Sequence, residues 1–449
     1  MSTIEKHDMT QGKILLPLVS FTIPLVLGNL FQLTYNAADS VIVGKYVGEQ
    51  ALAAVGTSTP IMNIAILLIS GMCMGASVLM SSQYGAKDYD TLSRQISTTM
   101  LAGCGFSVVF SLLMLLLANP VLRLIRVPET AIPEAAAYLR IIFMGLIFTF
   151  MYNFLANTMR ALGDSKTPLY FLVTSAFLNI FGDLFFVVVL RWGVAGSAIA
   201  TVCSEGLCCL LCGIYIKKKI PLLCLGKKWW VFDKSLLGKT VSYGSTSAMQ
   251  QVCLQLGKLI IQSVVNTQGV AVMAAFTAVN RVDDFAYTPQ QNIGHAMTTF
   301  LAQNKGAGHK ERMKKGFQTG LLIELVYSIG LFCVIWGLAP QIMRLFAEDG
   351  DAQVVSLGIS YLHLISWMYI LPGLTNGVQG FFRGIGDLKV TLYSTFMNMF
   401  GRVVAVFVMI RLLQMEFASL AWANMVGWIV MLLFEVPLLV KSMRNGECG

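Results

Sequence analysis

The chain has 449 residues, of which 12% are charged and 56% apolar, with a mean hydropathy of +0.70. A soluble chain carries roughly 25% charged residues, so a set of soluble domains is excluded and an integral membrane protein is expected. The excess of 32 Lys and Arg over 23 Asp and Glu comes without basic and aromatic residues interleaved, which excludes a nucleic-acid partner and leaves the charge to be explained by the membrane.

Taken in order, Met1 to Lys13 is polar and runs straight into an apolar stretch without a small-residue cleavage site, so no signal peptide is expected. Twelve apolar spans follow, near 14–43, 51–80, 96–118, 134–157, 168–190, 193–216, 240–265, 271–301, 317–339, 354–382, 390–410 and 417–440. Each reaches the roughly 20 residues that cross a bilayer core of about 30 Å; several are longer and should tilt, bend or protrude. The termini and the even-to-odd loops hold 22 of the basic residues and the opposite loops six, which predicts cytoplasmic termini by the positive-inside rule. The cysteines lie almost all within the spans, with neither a disulfide framework nor a complete set of metal ligands, so no metal or cofactor is expected.

The two halves repeat. Arg160-Ala-Leu-Gly-Asp-Ser-Lys166 recurs as Arg383-Gly-Ile-Gly-Asp-Leu-Lys389, Ser175 to Gly182 as Ser394 to Gly401, and Leu52-Ala-Ala-Val55 as Met273-Ala-Ala-Phe276. Each half has six spans, an even number, so the repeat is parallel, about an axis along the membrane normal. The expected fold is an all-α integral membrane protein: twelve transmembrane helices in two six-helix bundles related by a parallel pseudo-two-fold repeat. Residues 1–216 form the N-lobe, 217–239 a cytoplasmic linker and 240–449 the C-lobe. Such a pair of bundles suits alternating-access transport. The R-x-x-G-D-x-K turns read as helix ends, with Gly163 left-handed and Thr167-Pro168 starting the next helix. The glycines at 71 and 75 and at 373 and 377 read as close helix packing.

Ionisable side chains at membrane depth are costly and usually line a cavity or an ion path. Among them, Asp39 in span 1 and Asp183 in span 5 share a depth with Thr201 in span 6, roughly 7 to 12 Å below the outer surface at 1.5 Å per residue. Asn179, four residues before Asp183, lies on the same face one turn deeper. Two carboxylates, an amide and a hydroxyl suit a hard cation such as sodium, and a close carboxyl pair equally suits a proton. The second half keeps Asn179 as Asn398 but puts Arg402 at Asp183, Asn424 at Thr201 and an apolar residue at Asp39, so the coupling site is expected in the N-lobe alone. Pro24, fifteen residues before Asp39, removes a helix hydrogen bond and marks span 1 as able to bend.

Together, Pro24 with Asn29, Tyr35-Asn36-Ala-Ala-Asp39-Ser-Val-Ile-Val-Gly44, Leu52-Ala-Ala-Val-Gly56, Gln83-Tyr-Gly-Ala86, Arg160 to Pro168, Asn179-x-x-x-Asp183 and Gly193 to Thr201 resemble the multidrug and toxic compound extrusion (MATE) family. The resemblance runs from about Met9 to Val440 and is strongest to the bacterial branch related to the DNA-damage-inducible F protein. It implies a secondary antiporter exchanging amphiphilic or cationic drug-like molecules for inward-moving protons or sodium. Asp39, Asn179, Asp183 and Thr201 would be the coupling residues and Pro24 the hinge. Span 7 departs from the family's other bacterial branch in offering Gln250, Gln251, Gln255 and Lys258 but no carboxylate.

Candidate cavity residues are Gln32, Tyr35 and Asn36 in span 1, Asn153 and Asn157 in span 4, and Met249 and Gln251 in span 7. The implied setting is the bacterial plasma membrane, with a monomer, small-molecule substrates and the lipid bilayer as partners. The rival reading is a flippase for a lipid-linked precursor, whose pyrophosphate would call for cavity-facing cations. Neither a metalloprotease nor a nucleophile motif accompanies the intramembrane residues, so no enzyme is expected.

Overall fold

The computed structural model describes residues 8–125, 127–220, 230–346, 352–413, 417 and 419–444. These residues fold into helices and no strand, the arrangement in which each segment satisfies its own backbone polar groups in lipid. In the first half, α1 is Leu15–Tyr46, α2 Glu49–Gly85, α3 Tyr89–Leu124, α4 Ile132–Met144, α5 Leu146–Ala161, α6 Lys166–Asp183 and α7 Gly193–Lys219. In the second, α8 is Lys234–Val265, α9 Val270–Gly306, α10 Lys310–Phe346, α11 Ala352–Ser366, α12 Ile370–Ile385, α13 Leu388–Phe407 and α14 Ser419–Arg444.

These helices make the twelve predicted spans. The fourth is α4 with α5, bent by 47° at Gly145, where a β-carbon would lie 2.4 Å from Val202. The tenth is likewise interrupted, by a 3₁₀ turn at Trp367–Tyr369 between α11 and α12. The fifth and eleventh, α6 and α13, each run on into a π turn, Leu184–Val189 and Val408–Leu412. Among the described residues nine segments, and the bent pair as a tenth, are apolar enough to cross a membrane by composition alone. The seventh and eighth spans, α8 and α9, are long enough at 32 and 37 residues, but Lys258 on α8 and Arg281, Asp283 and Asp284 on α9 dilute them. Outward-facing leucine, valine and phenylalanine side chains, such as Leu116 and Leu124 on α3, coat the helices for lipid.

The chain divides into two compact units that exchange their leading segments. The first comprises Met1–Asp8 and Ile23–Ala248, the second Met9–Thr22 and Met249–Gly449. In the second unit Arg312 of α10 donates to the carbonyls of Met9, Gln11 and Gly12, while the Met9 amide donates to Gln303 Oε1 at 3.1 Å. In the first, the segment entering α8 is tied to α3: the Val231 and Asp233 amides donate to Ser97 and Thr98, each at 3.0 Å, and Asp233 pairs with Arg94. The start of α8 stays with that unit because Gly71 and Gly75 of α2 leave no room for side chains. A β-carbon at Gly71 would lie 2.6 Å from Ala248 Cα, and one at Gly75 2.3 Å from the Tyr243 carbonyl.

The repeated turns are helix ends, as expected. Gly163 and Gly386 take φ of +90° and +86°, which a β-carbon would strain. The cap comes from Asp164, whose Oδ1 accepts from the Lys166 and Thr167 amides at 3.1 and 3.0 Å, and not from Thr167.

Candidate functional site: a buried acid pair

The first unit assembles the predicted acid site from α1, α6 and α7. Close packing sets the distance between α6 and α7, since a β-carbon at Gly182 would lie 2.9 Å from Ala200 Cβ. Across that contact Asn179 Nδ2 donates to Thr201 Oγ1 at 3.2 Å. Asp183, the last residue of α6 before the π turn, is fully buried and lies within the field of the Asp39 carboxyl on α1. Among the described residues no N–H or O–H donates to either Asp183 oxygen, nor to Asn179 Oδ1. Asp39 has one donor, Ser197 of α7, whose hydroxyl lies 2.6 Å from Oδ1.

All four predicted coupling residues are therefore brought together, and Ser197, which the sequence reading passed over, joins them. Its hydroxyl serves Asp39 and its carbonyl accepts from Thr201 Oγ1 at 3.2 Å. The signal was present in the spacing: Ser197, Thr201 and Glu205 fall at i, i+4 and i+8, one face of α7. An apolar cluster of Val43, Val55, Tyr138, Ile142, Val194 and Ala198 packs in the same unit, and its Tyr138 lies within the field of Asp39 and Asp183.

Pro24 lies inside α1, which stays α-helical through it. The changeover between the compact units falls one residue before it, with Thr22 in the second unit and Ile23 in the first.

Of the cavity candidates, Gln32 lies beside Tyr35, and Tyr35 lies within the field of Glu205 on α7. Glu205 accepts from Thr149 Oγ1 at 2.5 Å, and Thr149 is one turn before the half-buried Asn153 on α5. Glu205 and Thr149 thus join Gln32, Tyr35 and Asn153 in one polar group that the sequence reading had only partly selected. Asn157 donates to the Asn153 carbonyl at 2.8 Å and is 9% exposed. The side chain of Asn36 lies outside the described residues. Met249, 57% exposed, and the half-buried Gln251 belong to the second unit.

The matching positions of the second unit look different. Asp283 of α9 accepts from Tyr361 and Tyr369 hydroxyls at 3.0 and 2.6 Å, Asn424 Nδ2 donates to the Tyr361 oxygen at 2.8 Å, and Arg402 lies nearby. Lys258 pairs with Asp284 at 3.1 Å.

Comparison with known proteins gives one answer. The MatE family model matches residues 24–185 and again 247–409, one match to each half of the repeat. "Probable multidrug resistance protein YpnP" of Bacillus subtilis is 32% identical over 392 residues, covering 87% of this chain and 86% of its own. "Probable multidrug resistance protein NorM" of Thermotoga maritima is 23% identical over 423 residues, covering 92% and 89%. A solved structure described as the outward-facing conformation of a multidrug resistance MATE family transporter superposes with a TM-score of 0.91 at 22% identity, covering 100% of this chain and 99% of that one. A doubled family match, a relative of this similarity and a shared fold together place the chain in the MATE family of multidrug antiporters.

Proposed function

We propose that the protein exports amphiphilic or cationic drug-like molecules in exchange for protons that bind between Asp39 and Asp183. The observation that carries this reading is a fully buried Asp183 whose two oxygens receive no donor and face a second carboxyl. Two ionised carboxylates in that position repel, and a single proton at the contact turns the repulsion into a hydrogen bond. Ser197 holds Asp39, and Thr201 holds Asn179 beside Asp183, so loading changes charge without dismantling the site. Neutralising the pair removes the charge that α1 presents to α6 and α7 and lets α1 bend at Pro24, where the missing amide lowers the resistance to bending.

Glu205, with Tyr35, Gln32 and Asn153 around it, is the group we assign to recognition of the substrate's cation. The flippase alternative finds no support. Lys258 is paired with Asp284 and Arg402 sits beside Asp283, so these cations are already matched by carboxylates. The reading includes a monomer in the bacterial plasma membrane, with both termini on the cytoplasmic side where the basic residues concentrate.

Proteoliposomes loaded with a fluorescent cationic dye test it. An imposed proton gradient should drive dye movement in the wild type, and Asp39→Asn and Asp183→Asn should each abolish it. Undiminished gradient-driven transport in both variants would overturn the coupling site, and a response to a sodium gradient alone would replace the proton with sodium.

A further inference from the structure

The second unit holds another buried acid, Glu324 on α10, which the exchange described above does not use. It is 1% exposed, neither carboxyl oxygen receives a hydrogen bond, and among the described residues no ion pair reaches it. Gln290 and Ser328, at 0% and 3% exposure, lie beside it, and Gln290 Oε1 also receives no donor. These groups converge on the space over Gly373. An ideal β-carbon built there would stand 2.9 Å from Ser328 Oγ, 3.2 Å from Gln290 Nε2 and 3.4 Å from Glu324 Oε2.

The internal repeat shows what an inert version of this place looks like. Glu324 and Gly103 are each fourteen residues into their helices, α10 and α3, and Gly373 and Phe150 are each ten residues before the motif arginines Arg383 and Arg160. In the first unit the Phe150 ring fills the slot, its Cζ 2.0 Å from where a Gly103 β-carbon would stand. In the second unit the large and small residues have changed places, and the large one is a carboxylic acid aimed at polar atoms. A hydrocarbon would fill the slot without any unpartnered oxygen, so packing gives no reason for the acid.

We propose that Glu324 is a proton-binding site of the C-terminal unit. The proton sits on a Glu324 carboxyl oxygen and is donated to Gln290 Oε1. When it leaves as a hydrogen ion, the carboxylate competes for the Ser328 hydroxyl, which now lies 2.7 Å from the Glu324 carbonyl and 3.3 Å from that of Tyr369. Gln290 Nε2 donates to the same Tyr369 carbonyl at 2.8 Å, at the 3₁₀ break in the tenth span, so the protonation state bears directly on that break.

Most titratable groups on the surrounding elements are hydrogen-bonded elsewhere, His295 of α9 facing Arg383 among them, while the buried Tyr287 hydroxyl has no partner among the described residues. Tyr327 of α10 donates to the Ala286 carbonyl, Tyr361 of α11 and Tyr369 of the break both donate to Asp283 of α9, and Arg383 of α12 donates to Gln379 Oε1. Tyr287 of α9 packs its ring against Tyr369 and Trp428.

Infrared difference spectroscopy of the purified protein, in nanodiscs of phosphatidylethanolamine and phosphatidylglycerol, tests this independently of transport. A protonated-carboxyl C=O band that shifts in D₂O and titrates with pH should be present in the wild type. It should be lost in Glu324→Gln and retained in the Asp39→Asn, Asp183→Asn double variant. Thermal unfolding monitors the fold of each variant. Gly373→Ala, which places a methyl group in the slot, and Ser328→Ala should both move the midpoint of the band without removing it. The proposal is overturned if Glu324→Gln leaves every carboxyl band in place, if the Glu324 band does not respond to pH, or if neither slot variant moves its midpoint. It is equally overturned if the wild type binds radioactive sodium at a site that Glu324→Gln removes and shows no such band.

Discussion

The two units share an order of helices but treat the acid nearest one matched position, Asp183 in the first and Arg402 in the second, in opposite ways. In the first, Asp183 and Asn179 present acceptor oxygens that no donor among the described residues satisfies, and another acid, Asp39, lies within range of Asp183. In the second, the acid Asp283 takes two tyrosine hydroxyls, and Arg402, at the position matching Asp183, stands close by. Tyr138 and Tyr361 make the contrast concrete, since each lies 22 residues before its motif arginine. The Tyr138 hydroxyl meets the Met62 sulfur at 3.7 Å, whereas the Tyr361 hydroxyl donates to Asp283. The same scaffold thus carries one site whose acceptors lack a positive hydrogen and one whose acid is satisfied from within. Of the Asp183 and Asp283 sites, the first gains more by taking up a cation, because an unpaired buried acceptor is expensive while a paired one is not.

The largest expected effect comes from exchanging the acids for amides. Asp183→Asn should lower gradient-driven transport by about 100-fold or more, the scale of losing one positioned proton-transfer group, with the protein still folded. Asp283→Asn should keep coupling and instead lower stability by about 1.5–3 kcal/mol, the range for hydrogen bonds to a charged group. Both are read by dye transport and thermal unfolding in lipid; loss of coupling in a stable Asp283→Asn would break the contrast.

A smaller effect separates the matched glycines. Gly182→Ala puts a methyl group 2.9 Å from Ala200 Cβ, whereas Gly401→Ala meets Val430 at 3.3 Å, against a side chain that can turn. The first should cost about 1–3 kcal/mol of stability as overpacking does and weaken transport by parting Asn179 from Thr201. The second should cost less than about 1 kcal/mol and leave transport intact; equal costs would show that α6 and α7 are no more tightly set than their counterparts.

The smallest effect concerns the water-exposed Asp88, whose side chain accepts from the Thr91 amide at 3.1 Å at the start of α3. Hydrogen bonds from Thr91 hold its carboxyl below the usual range. The stabilisation is therefore present above the unfolded carboxyl's pKa and is lost as pH falls through the lower folded value. Asp88→Ala should cost about 0.5–1 kcal/mol near neutral pH, the low end for an exposed cap. The difference from wild type should vanish in acid, as unfolding curves at both pH values would show.

Much of this was legible in the amino-acid order because a bilayer imposes one-dimensional rules. Length and apolarity mark spans, basic residues mark loops, and retained acids stand out. Asp39, Asp183 and Thr201 were found at one depth by counting residues, and Asn179 by one helical turn. Ser197 and Glu205 follow the same spacing from Thr201, but the partners they meet on α1 and α5 are set by how those helices face α7. The exchange of Met9–Thr22 and of the segment leading into α8 between the units left no trace in composition, because it depends on which helix faces lie bare.

By itself, the sequence determined the membrane class, the twelve spans, the doubled architecture and the pair of acids worth examining. Each of these follows from hydropathy, period and position along one chain. Only the tertiary structure decided which buried polar atoms have partners. Asp283 and Glu324 are both acids within apolar spans of neighbouring helices, yet two tyrosines reach one and, among the described residues, no donor reaches the other. That difference lies in side-chain directions a few ångströms apart, drawn from helices distant along the chain, where no local pattern records it.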